Sequence, residues 1–333
     1  MSLDPARFRP PAPLRNAHVQ SVLASSRFRK IFTRRVAADL IAGPQELILD
    51  GGEGVRLQGF LTLQNHLPQA RGLAVLVHGW EGSVDSSYIL ATGARLLDAG
   101  FDVFRLHLRD HGDTHALNRD LFHSCRIDEV VAAVGNLARR VRHRALCIVG
   151  YSLGGNFALR VALRAPAAGI DLRHAAAVCP VISPRAGLEA IEAAPWFYQR
   201  YFMHKWGRSL RRKQSLFHDA FHFSPSELRA GVRGLTQALV ERYTDFDSLD
   251  AYLDGYSIAG ERLAELQVPA SILTAADDPV IPVEDFRTLS LPPQVQLSIA
   301  PWGGHCGFLA GLRLDGLAEA WVTEQLAEAC PAG

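Results

Sequence analysis

The chain has 333 residues, a net charge of +1 and 48% hydrophobic residues. It can bury a sizeable core, is neither disordered nor basic enough to be built for nucleic acid, and has no apolar run long enough to span a bilayer. Its five cysteines, at positions 125, 147, 179, 306 and 330, are scattered, odd in number and without C-x-x-C spacing, which argues against a disulfide framework or a zinc site.

Met1 to Pro13 carries arginines and prolines but no apolar leader segment, so a soluble, cytoplasmic protein is expected. Residues 1–44 read as an N-terminal extension packing on the core. Gln45 to Asp50 and Val55 to Leu63 flank Gly51-Gly-Glu-Gly54 and predict an antiparallel hairpin. Leu73 to His78 is a short apolar run, expected as the first strand of a parallel sheet. Its outgoing loop reads His78-Gly79-Trp80-Glu81-Gly82-Ser83, where the backbone N–H of Trp80 is a candidate donor to an oxyanion.

Ile89 to Ala99 is predicted helical, Asp102 to Leu108 a strand and Ile127 to Val141 a helix. Between the last two lies His107-Leu-Arg109-Asp110-His111-Gly112-Asp113-Thr114-His115. Its H-x-x-D-H run is suggestive of metallo-hydrolase ligands, but Arg109 stands where a further histidine is needed. The segment reads as a polar turn, with Arg109 paired to a local carboxylate and no metal.

Ala145 to Val149 predicts a buried strand, and Asn156 to Arg164 a helix stopped by Pro166. Between them stands Gly150-Tyr151-Ser152-Leu153-Gly154, a G-x-S-x-G turn. A serine hydroxyl becomes nucleophilic only when a base removes its proton, so it must stand clear of the backbone. A sharp strand-to-helix turn presents Ser152 in this way, and a Cβ on either flanking glycine would clash. The N–H of Leu153, at a helix start, is the second candidate oxyanion donor.

Further strands are expected at Ala175 to Cys179, Ala270 to Ala275 and Val295 to Ala300, with a short helix near Val283 to Leu289 and a last helix from Leu314 to Ala329. The alternation predicts an α/β fold, a mostly parallel doubly wound sheet of about eight strands. Residues 45–182 and 267–333 form its core. The interval 183–266 has no clear strand and reads as a helical cap or lid insertion, with helical stretches at Trp196 to Phe202 and Lys205 to Lys213. Trp196, Phe197, Tyr198 and Phe202 read as cap core rather than as site residues. His218 and His222 have i, i+4 spacing there without the glutamate of H-E-x-x-H, and read as surface or lid residues.

Ligands of open parallel sheets bind beyond the carboxyl ends of the strands, so an acid and a base for Ser152 belong in the later loops. After Ala275 comes Ala276-Asp277-Asp278-Pro279-Val-Ile-Pro282, and after Ala300 comes Pro301-Trp-Gly-Gly-His305. His305 is the candidate base and Asp278, four residues before Pro282, the candidate acid; Asp277 is the fallback. No cofactor is required.

With the order Ser, Asp, His, the chain resembles the α/β-hydrolase superfamily, and more narrowly its YheT-like branch, also called AB hydrolase family 4. Asn16-Ala-His18-Val-Gln20-Ser21, His78-Gly-Trp-Glu-Gly-Ser83 and Gly303-Gly-His305-Cys-Gly-Phe308 carry the narrower resemblance. It implies the α/β-hydrolase fold and a serine esterase of short- to medium-chain acyl esters. Eukaryotic relatives act on glycerolipids or phospholipids behind a membrane anchor, which this chain lacks, so no stable membrane insertion is expected. The partner is a small-molecule acyl ester. An acylglycerol lipase, a phospholipase or a thioesterase would use the same triad, and a catalytically silent fold would bind a ligand instead. Nothing in the sequence gives the oligomeric state.

Overall fold

The computed structural model describes residues 3–311 and 314–332. Eight strands form one sheet: β1 (Gln45–Asp50), β2 (Arg56–Thr62), β3 (Leu73–Val77), β4 (Asp102–Leu106), β5 (Leu146–Tyr151), β6 (Leu172–Val178), β7 (Ala270–Ala275) and β8 (Val295–Ala300). Their spatial order is β1-β2-β4-β3-β5-β6-β7-β8. The pairs β1/β2 and β2/β4 are antiparallel, and every later pair is parallel. β3, β4, β5 and β7 are buried along their whole length, which is why they read as continuous apolar runs. At the edge, β1 and β2 alternate, turning Leu47, Leu49, Leu57 and Leu61 inward.

Among the described residues, twelve α-helices accompany the sheet: α1 (Ala17–Ala24), α2 (Arg27–Val36), α3 (Ala38–Ile41), α4 (Ser87–Asp98), α5 (Ile127–Arg140), α6 (Leu153–Arg164), α7 (Pro184–Ala193), α8 (Trp196–Leu216), α9 (Gly231–Tyr243), α10 (Leu249–Gly255), α11 (Val283–Arg287) and α12 (Leu317–Ala329). The period of two in β3 sends Val75 and Val77 to a core shared with α5 and α6, and Ala74 and Leu76 to one shared with α4 and α12. The sheet is thus covered on both faces, as its apolar strands require.

Several bounds differ from the sequence reading, among them α6, which starts at Leu153 directly after the serine, and three others have a clear cause. β6 starts at Leu172, three residues early, because His174 finds Ser271 Oγ at 3.0 Å and enters the sheet despite its polarity. α12 starts at Leu317: Gly316 bridges to Leu309 in extended conformation, so the chain is not free to coil from Leu314. The two stretches near Trp196 and Lys205 are one unbroken helix, α8, since nothing between them interrupts the hydrogen-bond ladder. α7 to α10 all lie between β6 and β7 and build small cores of their own, one around Leu210, Phe221 and Leu235 and another around Leu188, Val232 and Leu253.

Candidate active site

β5 runs straight into Ser152, and α6 begins at the next residue. Ser152 has φ 54° and ψ −121°, a region an L-residue occupies only when its surroundings enforce it. Two close approaches do so. A Cβ on Gly150 would lie 2.0 Å from Gly154 O, and one on Gly154 would lie 2.3 Å from Val77 O, so the turn closes only with glycine at both. The Ser152 N–H is held by Val178 O at 2.9 Å.

The loops after β7 and β8 bring Asp278 and His305 to this serine. His305 Nε2 lies 2.9 Å from Ser152 Oγ, and His305 Nδ1 lies 2.9 Å from Asp278 Oδ2 and 3.2 Å from Oδ1. The carboxylate accepts only at Nδ1, so the proton belongs on that nitrogen and Nε2 is left to accept from the serine hydroxyl. The side chain of Asp278 is fully buried, and its Oδ1 also accepts the N–H groups of Val280 and Ile281 at 2.8 and 3.0 Å. Burial is the largest single influence and opposes charging of His305, but the facing Asp278 carboxylate and the neighbouring Cys306 together outweigh it, and the imidazole pKa stands well above its ordinary value. Asp277 does not reach the imidazole. Its Oδ1 accepts from Gly304 N–H at 2.8 Å, and burial raises its pKa.

The loop after β3 lies against the serine: a Cβ on Gly79 would stand 3.2 Å from Ser152 Cβ. Gly79 N–H donates to Tyr88 Oη at 3.0 Å and Glu81 N–H to His111 Nε2 at 3.1 Å. The intervening Trp80 N–H, and the Leu153 N–H at the start of α6, donate to no protein group among the described residues. They are two amides beside Ser152 without a protein acceptor, as helix starts and tight turns leave them.

The histidine-rich segment after β4 supports this loop. His78 Nδ1 donates to Gly79 O at 2.8 Å while its Nε2 accepts from Leu108 N–H at 3.3 Å, and His111 Nδ1 donates to Arg109 O at 2.7 Å. Burial lowers the pKa of His78, takes that of His107 to about 3 and that of His111 to about 4, so these rings are neutral. His107 pairs with Gln58, and His115 with Ser209. Arg109 forms a buried ion pair with Glu129 at 2.6 Å, and Asp110 one with Lys213 at 2.7 Å.

A cavity of about 330 Å³ opens above the serine. Ser152, Leu153, Trp80 and His305 line its floor, and Leu188, Ile191, Val232, Leu253, Val280 and Ile281 give it an apolar wall. Lys30, Glu81 and Lys205 add charged side chains to its lining. Lys205 Nζ donates to Glu81 O at 2.8 Å, and burial lifts the Glu81 carboxyl to about 7 against the opposing charge of Lys205. Of the α8 aromatics, Phe202 lines the cavity and stacks on Trp80 with centroids 5.3 Å apart, whereas Tyr198 meets His18 and Trp196 is exposed. His218 and His222 are exposed and lie outside any helix.

Two contributors escaped the sequence reading. Ser21 Oγ accepts the backbone N–H of His305 at 2.8 Å, and the Gln20 side chain bonds to Leu14 O, Leu309 O and Leu309 N–H. Both belong to the Asn16-to-Ser21 segment, and nothing in that motif links its side chains to a loop more than 280 positions away. Cys179, His305 and Cys306 bring three possible metal-ligand atoms within 4.8 Å of one another. Because Asp278 and Ser152 occupy both His305 nitrogens, an ion could join this group only by displacing one of them.

Residues 74–312 match the family model described as the alpha/beta hydrolase fold. The chain is 28% identical to an Escherichia coli (strain K12) protein named "Putative esterase YheT", an alignment covering 93% of this chain and 89% of that one. Among solved structures it is similar to the Pyrococcus furiosus esterase Pf2001, with TM-score 0.58, 15% identity and coverage of 90% of this chain and 94% of that one. It is similar as well to the proline iminopeptidase of Mycobacterium smegmatis, with TM-score 0.55, 16% identity and coverage of 86% and 98%. At these identities the two structures speak for the fold alone.

Proposed function

Because the chain belongs to the alpha/beta hydrolase fold family, we propose that it is a serine carboxylic ester hydrolase of short- to medium-chain acyl esters. The observation that carries this reading is the continuous relay Asp278–His305–Ser152, with 2.9 Å at each junction, on the floor of a cavity with an apolar wall. The esterase name of the YheT relative points the same way.

In the proposed reaction, Ser152 Oγ attacks the ester carbonyl as His305 Nε2 takes its proton. The negative charge that forms on the carbonyl oxygen is met by the N–H groups of Trp80 and Leu153. As the intermediate collapses, the imidazolium returns the proton to the departing alcohol, leaving an acyl group on Ser152. His305 then deprotonates a water that attacks the acyl-enzyme, and the acid leaves with the serine restored. Asp278 keeps the imidazole in the accepting tautomer and stabilises its charged form without taking the proton itself.

Residues 45–182 and 267–333 serve as the hydrolase core, 183–266 as a cap that bounds the acyl site, and 1–44 as an extension packed on the core. The cavity is at the small end of the range for ligand sites, which favours a short to medium acyl chain. Five free cysteines suit a reducing, cytoplasmic setting.

The test is a series of p-nitrophenyl esters of increasing chain length, with a fluorophosphonate probe, on wild type and Ser152→Ala. Wild type is expected to turn over the shorter esters best and to label. The alanine variant should lose labelling and about a thousandfold or more in rate. Labelling that persists in Ser152→Ala removes the serine from its role. A wild type inert to every ester and to the probe replaces the enzyme with a ligand-binding hydrolase fold.

A further inference from the structure

Helix α2 packs inside out. It buries Arg29 and Thr33, with Arg29 ion-paired to Glu319 of α12 and donating to Leu314 O. Its large apolar residues face solvent instead: Phe28 is 72% exposed, Val36 67%, Ile31 54% and Phe32 46%. Phe28, Ile31, Phe32 and Arg35 fall at i, i+3, i+4 and i+7, so they share one face. Val19 and Val22 of the preceding helix are exposed as well. Scattered exposed hydrophobics are ordinary, but this many on one short helix mark an interaction surface.

The charges say what the surface fits. α2 holds Arg27, Lys30, Arg34 and Arg35 and no acidic residue. The ion pairs of this region are Arg7–Asp4 and Arg29–Glu319, which leaves those four cations unpaired among the described residues. An apolar band with Arg35 within it and Arg27 and Arg34 along one side matches the headgroup and acyl boundary of an anionic bilayer, where the cations meet phosphates while the rings enter the acyl region. No helix among the described residues is long and apolar enough to cross a membrane, so the contact would be peripheral.

The same helices border the cavity. Ala24, Ser25 and Lys30 line it together with Ser152, and Ser21 of α1 holds the His305 loop. We propose that the exposed face of α1 and α2 is a peripheral docking surface for an anionic lipid bilayer, which places the cavity rim at the bilayer surface. That an ester passes from the bilayer into the cavity rests on the esterase reading; the docking does not.

Sedimentation of the full chain with phosphatidylglycerol and phosphatidylethanolamine vesicles, against vesicles of phosphatidylcholine alone, tests the surface. Binding to the anionic vesicles is expected, weakening as salt rises. It should fall at least about tenfold in Phe28→Ser with Ile31→Ser, and again in Arg34→Glu with Arg35→Glu. Turnover of soluble p-nitrophenyl butyrate should be unchanged in both variants, which shows them folded. Ser152→Ala should bind vesicles as wild type does, so a failure of the esterase reading leaves the docking result standing. Equal binding to both vesicle types, or full binding by either double variant, overturns the proposal. So does a dimer in solution that Phe28→Ser with Ile31→Ser dissociates, since the face would then serve a second copy of the chain.

Discussion

Asp277 and Asp278 are neighbours in sequence that hold different parts of one loop: Asp278 bonds to the imidazole of His305, and Asp277 to the backbone N–H of Gly304. Asp278→Asn presents an amide to Nδ1 and favours the wrong tautomer, so kcat should drop by about 10³ to 10⁴. Asp277→Asn keeps an oxygen that can accept from Gly304, and its loss should stay within about tenfold. Ester kinetics on the two variants decide between them. A crippling loss confined to Asp277→Asn would move the imidazole's partner from 278 to 277.

The pH profile follows from the state of His305. Only the neutral ring can accept the Ser152 proton, and the buried Asp278 carboxylate raises its pKa well above the ordinary range. kcat/KM should therefore fall as pH is lowered through that raised pKa, with an acid limb above the ordinary 6.5. Asp278→Asn removes the larger of the two charges that raise it, the other being Cys306, so its residual activity should have its limb at lower pH. Ser21→Ala removes the acceptor of the His305 N–H but leaves the carboxylate facing the ring. It should slow turnover by about ten- to a hundredfold through misplacement, with the limb unmoved. A limb that shifts in Ser21→Ala would show that Ser21 acts on the charge rather than on position.

The parts of the site legible in the sequence are those fixed by local chain geometry. The turn around Ser152 needs glycine at 150 and 154 because backbone meets backbone there, and such a contact leaves the same residues in any chain that makes it. Asp278 and His305 were legible because a parallel sheet confines the site to loops at one end of its strands. The choice between Asp277 and Asp278 rested on spacing to Pro282, and the hydrogen bonds now distinguish the two by partner. Ser21 and Gln20 were not legible in this sense, since a hydroxyl or an amide in a short helix gives no sign of the distant carbonyl or N–H it will meet. Arg109 was read as paired to a local carboxylate and meets Glu129, twenty positions away on α5. The continuous α8 was divided because its polar middle conceals a helix that buries only a few residues on one side.

Lys213 is the buried cation of α8 that anchors it to the loop after β4, and its removal tests that packing. Its Nζ is buried and donates to Asp110 Oδ1 at 2.7 Å, Asn118 O at 2.6 Å and Asp120 O at 3.1 Å. Asp110 is buried as well, with φ 58°, and its Oδ2 accepts from Phe122 N–H at 2.8 Å. Burial pushes the Asp110 pKa up and the Lys213 pKa down, and each charge opposes the shift of the other. Lys213→Met leaves a buried carboxylate without its cation and should cost about 3 to 5 kcal/mol in urea unfolding. The sign with pH is fixed: a carboxyl raised in the folded state destabilises it above the folded pKa, and protonation removes that penalty. The deficit of Lys213→Met should thus be smaller at about pH 5 than at about pH 8. Adding Asp110→Asn to Lys213→Met removes the stranded charge, keeps a side chain suited to positive φ, and should recover most of the loss. If the double variant is as unstable as Lys213→Met at both pH values, the cost lies in the unpaired carbonyls of Asn118 and Asp120 instead of the ion pair.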